Sequence, residues 1–119
     1  GVGNIGATAG FSGDANTAGL WVTGAGTVVF QVNSRVPATK ILTTDAAIAY
    51  GAHAIHGCSD NGTLSIWVDG AKPAATVSGG GGSGSIATQP ATVYVGSLAA
   101  SNQALGWVSD FRASRGVTP

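Results

Sequence analysis

Two histidines, one cysteine, five aspartates and three tryptophans are the side chains through which this 119-residue chain could do chemistry. Hydrolysis of a glycosidic bond needs two carboxyl groups flanking it, roughly 5 to 9.5 Å apart. The acids are Asp14, Asp45, Asp60, Asp69 and Asp110, with no glutamate among them. No two stand at the i, i+2 spacing that would place both on one face of a strand. The chain is therefore not expected to be an enzyme.

Metal chemistry fares little better. His53 and His56 are three residues apart, so on a strand they face opposite sides and cannot chelate one ion as a pair. A His56–Cys58 pair at i, i+2 offers only two ligands. Cys58 has no recognisable histidine or asparagine constellation to activate it, and reads as a semi-buried small residue. No cofactor is expected. The one metal with candidate ligands is calcium, at Asp60 and Asn61, with Asp14 and Asn16 a second oxygen pair. The turn-forming habit of Asp and Asn explains both pairs without metal.

Binding is the remaining chemistry. Trp67 alternates away from Leu64, Ile66 and Val68, and Trp107 away from Val108, so both leave the innermost core face. With Tyr94 they form a candidate ligand-binding set, on which the apolar face of a sugar ring could stack. The same residues would equally serve to cover the second face of a sheet or fill a subunit contact, where aromatics are enriched.

The elements that must position these side chains are strands. Gly62–Gly70, Thr92–Ser97 and Gly106–Arg112 alternate apolar with small or polar residues at the period of two. Leu20–Thr23 and Thr27–Asn33 read as two strands joined by the Gly24–Gly26 turn, and Lys40–Thr43 as a short strand after Pro37. Ala52–His56 reads as a strand leading through the Ser59–Gly62 turn into Gly62–Gly70, and Pro73–Val77 as the strand that returns from Asp69–Gly70. Gly79–Ser85 is a glycine-serine run with the composition of a flexible loop or linker. Gly1–Gly19 carries only Ile5 and Phe11 as large apolar anchors and reads as an extended arm or irregular edge strand. The domain proper is expected over residues 20–119, with roughly seven or eight strands and no helix.

Composition narrows the partners. Five basic and five acidic residues give a formal net charge of zero. Nucleic-acid binders need a clustered basic stripe, and Arg112 with Arg115 is not one. Arg112 is expected to pair with Asp110. No run approaches a membrane span, and no signal peptide is visible. The lone cysteine excludes an internal disulfide and suits a chain folded in the cytoplasm that later leaves. The absence of methionine points to a processed start or a piece of something longer.

The order of the motifs resembles the concanavalin A-like lectin/glucanase superfamily, in particular its laminin G-like branch. Tyr50–His56, the Asp60–Gly70 hairpin, Thr92–Gly96 and the closing Leu105–Arg112 strand carry the resemblance, and the last two are most similar to versions in bacteriophage virion and tail proteins. It implies an antiparallel jelly-roll β-sandwich with one concave sheet, and members that bind glycans, proteins or calcium. Two departures stand out. Only about twenty-six residues precede Thr27, where the family has some fifty, so the N-terminal part is missing, reduced or completed by a neighbouring subunit. Ala113–Ser114 also replace a larger apolar and an aromatic residue. The glucanase branch uses glutamate-rich strands, which this chain lacks. The resemblance implies a non-enzymatic structural or adhesion module of a virion, partnered by neighbouring subunits or by further copies of itself. The alternative is a carbohydrate-binding module recognising surface glycans. A virion or extracellular location follows from either.

Overall fold

A computed structural model describes residues 3–8, 17–33, 39–79 and 93–95 of the chain. Eight strands and no helix occur among them: β1 (Gly3–Thr8), β2 (Thr17–Val22), β3 (Val28–Asn33), β4 (Thr39–Thr44), β5 (Ile55–Asp60), β6 (Thr63–Val68), β7 (Ala75–Ser78) and β8 (Val93–Val95). They form a six-stranded sheet of order β7-β4-β3-β2-β1-β8 and a two-stranded sheet of β5 and β6, with every pairing antiparallel. The architecture is all-β and two-layered, compatible with a β-sandwich.

The core lies where β6 crosses β3 and β4. Val28, Phe30 and Val32 alternate along β3, Leu42 comes from β4, and Leu64 and Ile66 come from the facing hairpin; all six are buried. Each such side chain taken from water contributes about 1.5–3 kcal/mol. Leu20 and Val22 of β2, Ile55 of β5 and Val68 of β6 pack around this cluster. The alternation of Leu64, Ile66 and Val68 read from the sequence turns all three toward this cluster, with Leu64 and Ile66 buried and Val68 half-buried. The chain's single cysteine, Cys58, is buried on β5, opposite Ser65 of β6.

Both sharp turns of the hairpin layer demand positive φ, and the sequence supplies residues that tolerate it. Asn61 and Gly62 have φ of 48° and 85°, as the tight turn between β5 and β6 requires. Asp69 and Gly70 have φ of 53° and 79° and close a second turn, in which Val68 and Ala71 exchange both backbone hydrogen bonds at 2.8 and 3.0 Å. Lys40 of β4 donates its ammonium to the Gly62 carbonyl and so ties the tip of the hairpin to the larger sheet. Among the described residues no buried side-chain nitrogen or oxygen lacks a hydrogen-bond partner. Thr44 is 2% exposed, and its Oγ1 accepts from the Val28 N–H at 2.9 Å and donates to the Ala46 carbonyl at 3.0 Å.

Two expectations are corrected. Pro73–Val77 does not return along β6. Pairing there stops after the Val68–Ala71 bridge, and Ala75–Ser78 crosses to pair with β4, Leu42 opposite Val77. Pro73 has no N–H to continue the ladder, which favours the departure. Ala52–His56 is a strand only in its last two residues: β5 begins at Ile55, and residues 45–54 form a loop. Ala52 and Ala54 are exposed and bury too little to hold a strand, whereas Ile55 packs against the core.

Within the segment expected to be an arm, Gly3–Thr8 is β1, paired on one side with β2 and on the other with β8, with an irregular register between Asn4 and Gly6. The boundary drawn at Gly19 falls inside β2. Gly106–Arg112, and with it the Asp110–Arg112 pairing, lies outside the described residues, as does the glycine-serine run beyond Gly79.

Candidate functional site

The most organised group of polar side chains is built on the turn after β6. Asp69 sits at the first position of that turn, and the left-handed backbone there aims its carboxylate back over the 45–54 loop. Oδ1 accepts the Ala54 N–H at 2.9 Å, and Oδ2 meets His53 Nδ1 at 2.6 Å. The backbone joins in, with the Asp69 N–H donating to the Ala54 carbonyl at 2.8 Å. The other ring nitrogen of His53, Nε2, lies 2.7 Å from the Ala49 carbonyl.

Both ring nitrogens thus face acceptors, and only the doubly protonated imidazolium can donate to both. The hydrogen bond to Asp69 is the main cause that raises the His53 pKa above its ordinary 6.5, helped by the Ala49 carbonyl; desolvation opposes them. Asp69 moves the other way, below its ordinary 3.8, held down first by His53 and then by the Ala54 N–H. The His53 side chain is 16% exposed and that of Asp69 54% exposed. The arrangement has the outline of a carboxylate–imidazole dyad. Its distal nitrogen is spent on a backbone carbonyl, however, so it holds a loop rather than presenting a base.

A second group lies on the outward face of the hairpin. His56 and Trp67 are direct cross-strand neighbours, with ring centroids 5.9 Å apart at 80°, an edge-to-face contact. Lys72, just beyond the turn, places Nζ 5.3 Å from the Trp67 ring centroid, over the ring. Trp67 is half-buried, while His56 and Lys72 are exposed. The burial of Cys58 and the negative charge of Asp60 raise the thiol's pKa, a setting that disfavours the thiolate.

The remaining candidates are dispersed. Tyr94 lies in β8 opposite Ala7, in the six-stranded sheet, whereas Trp67 belongs to the two-stranded one. Trp107, Asp14 and Asn16 lie outside the described residues. Asp60 and Asn61 are exposed at the β5–β6 turn, and among the described residues no group of three or more His, Cys, Asp or Glu side chains is placed to hold a metal.

The His53–Asp69 pair escaped the sequence reading, in which Asp69 served only the turn and His53 only a strand. The available signal was a spare carboxylate: a turn aspartate has more acceptor capacity than its own turn uses. Lys72 was missed for a related reason, since a positive φ turn folds the next residues back over the strand that precedes it. No family model, no curated protein and no solved structure matches this chain.

Proposed function

We propose that this chain is a non-enzymatic jelly-roll domain of the concanavalin A-like, laminin G-like kind, serving as a structural or adhesion module. The phage-virion assignment, as a decoration or tail- or head-associated protein, rests on the resemblance of Thr92–Gly96 and Leu105–Arg112 to virion proteins. Its work is done by contacts with neighbouring subunits or with further copies of itself. Zero net charge and only ten charged side chains suit a surface that is covered in an assembly.

The observation that carries this reading over the glycan-binding one is the state of Trp67. Lys72 lies over the ring and His56 meets it in an edge-to-face contact. A sugar stacking on that face would have to displace the ammonium and forfeit a cation–π contact of about 0.5–1 kcal/mol. The tryptophan is better equipped as a covering plate for the hairpin. The dyad supports the same reading, because the groups it does not use on itself, His53 Nε2 and Asp69 Oδ1, are engaged with the backbone of Ala49 and Ala54.

Glycan binding remains the second reading, since Trp67 keeps part of its surface in solvent between two exposed polar side chains. Screening the wild-type chain and Trp67→Ala on a glycan array, with circular dichroism of both, separates the two. The structural reading expects no specific glycan signal from either protein. Specific binding lost in a folded Trp67→Ala variant would establish the lectin reading instead.

A further inference from the structure

We propose that His53, Asp69 and the Ala49 carbonyl form a protonation-controlled latch that holds the tip of the 45–54 loop, with Tyr50 on it, and releases that tip when the imidazole loses a proton. This goes beyond the structural role proposed above and does not depend on it.

The loop is secured at its ends by backbone bonds. At one end the Asp45 N–H donates to Ala74 at 2.9 Å and the Ile48 N–H to Gly26 at 3.0 Å; at the other, Ala54 and Asp69 hold each other. Between these anchors the chain is bare. Among the described residues, the contact of the Ala49 carbonyl with His53 Nε2 is the one hydrogen bond made by residues 49–52. Tyr50 is fully exposed, and Gly51 has φ of 126° with open space where a side chain would be. Four residues carrying an exposed aromatic are therefore tethered by a single bond.

That bond exists only while Nε2 carries a proton. Nδ1 faces a carboxylate at 2.6 Å, and a lone pair there would be repelled, so the proton kept on deprotonation is the one on Nδ1. Nε2 then turns a lone pair toward the Ala49 oxygen and the tether becomes repulsive. Asp69 is the charged group that faces the ring among the described residues; Asp45, at the loop's start, is engaged with the Thr76 hydroxyl at 2.6 Å. The upward shift of His53 places release on the alkaline side of ordinary histidine titration.

The chemistry makes an unusual prediction for Asp69→Asn. Asparagine tolerates the left-handed backbone at this position, and its oxygen can still accept the Ala54 N–H. Its amide would now donate to Nδ1, leaving a neutral ring with its proton on Nε2, bonded to Ala49. The variant's loop should stay closed through the histidine titration, because Nε2 keeps its proton in the neutral ring and in the imidazolium alike.

The test is a nitrogen and proton NMR titration of the full chain from about pH 5 to about pH 10, in a His56→Ala background so that His53 is the only imidazole. In wild type at position 69, the expected result is loss of the Nε2 proton at a midpoint above 6.5. The backbone signals of Ala49, Tyr50 and Gly51 should shift and lose order with the same midpoint. Asp69→Asn should abolish the response, with the Nε2 proton and the loop order both retained across the range. Loop signals that ignore the His53 titration would overturn the latch, as would an Asp69→Asn variant that opens in the wild-type direction. If that variant does not fold, the wild-type titration decides alone.

Discussion

Gly57 of β5 lies against the ring of Phe30 of β3 so closely that a Cβ at position 57 would come within 2.7 Å of Cδ1 and 2.9 Å of Cγ. This contact joins the two layers at the centre of the core, and the absence of a side chain is what lets the sheets approach. A glycine inside a strand ordinarily weakens it, so its presence here marks a close approach. Gly57→Ala is expected to destabilise the fold by about 1–3 kcal/mol, the range for forced overpacking. Phe30→Leu in the same chain should recover part of that loss, and a double-mutant cycle by urea denaturation measures the coupling.

Thr44 supplies a buried acceptor to the Val28 N–H from the neighbouring strand. Thr44→Val keeps the shape and removes the acceptor, leaving a buried donor unmatched. The expected loss is about 1–3 kcal/mol, against a much smaller change for Thr76→Val on the exposed edge. Thermal or chemical denaturation of both variants checks the contrast.

The pH dependence of stability follows from the opposite shifts of the latch pair. His53 has a raised pKa, so its contribution is complete below 6.5 and fades as pH rises through the folded-state value above that. Asp69 has a lowered pKa, so its contribution is complete above 3.8 and fades as pH falls through a folded-state value below that. Together they stabilise most fully between those two ordinary values. His53→Gln should flatten the alkaline flank of a stability-versus-pH curve, and Asp69→Asn should flatten the acidic one.

Lys72→Ala uncovers the Trp67 ring. A loss of about 0.5–1 kcal/mol is expected, together with a change in tryptophan emission. The substitution should not create glycan binding if Trp67 is a covering plate. Gain of stacking by a sugar on the bared ring, read by the same emission, would argue for the lectin reading.

Much of this fold was legible locally and little of it at long range. Asp60–Asn61–Gly62–Thr63 announces its turn because only asparagine and glycine sit easily at the two positive φ values. Leu64, Ile66 and Val68 announce their face because alternation is a property of one strand. The partner of β7 is not local: Ala75–Ser78 reads as a strand, but its choice of Leu42's strand over Ile66's depends on the packing of distant layers. The latch was invisible for the same reason, since His53 and Asp69 are sixteen residues apart and meet only once the second turn has formed. Trp67 was correctly read as leaving the innermost core face, while the lysine over it came from beyond the turn.

The proposed role stands or falls on whether the chain assembles. Multi-angle light scattering of the purified 119-residue chain over a range of concentrations, with circular dichroism to confirm strand structure, is the most direct test. A folded β protein that forms a discrete oligomer, with the same mass before and after exposure to glycans, is the predicted result. A folded monomer at every concentration that binds a glycan through Trp67 would contradict it and make the chain a lectin.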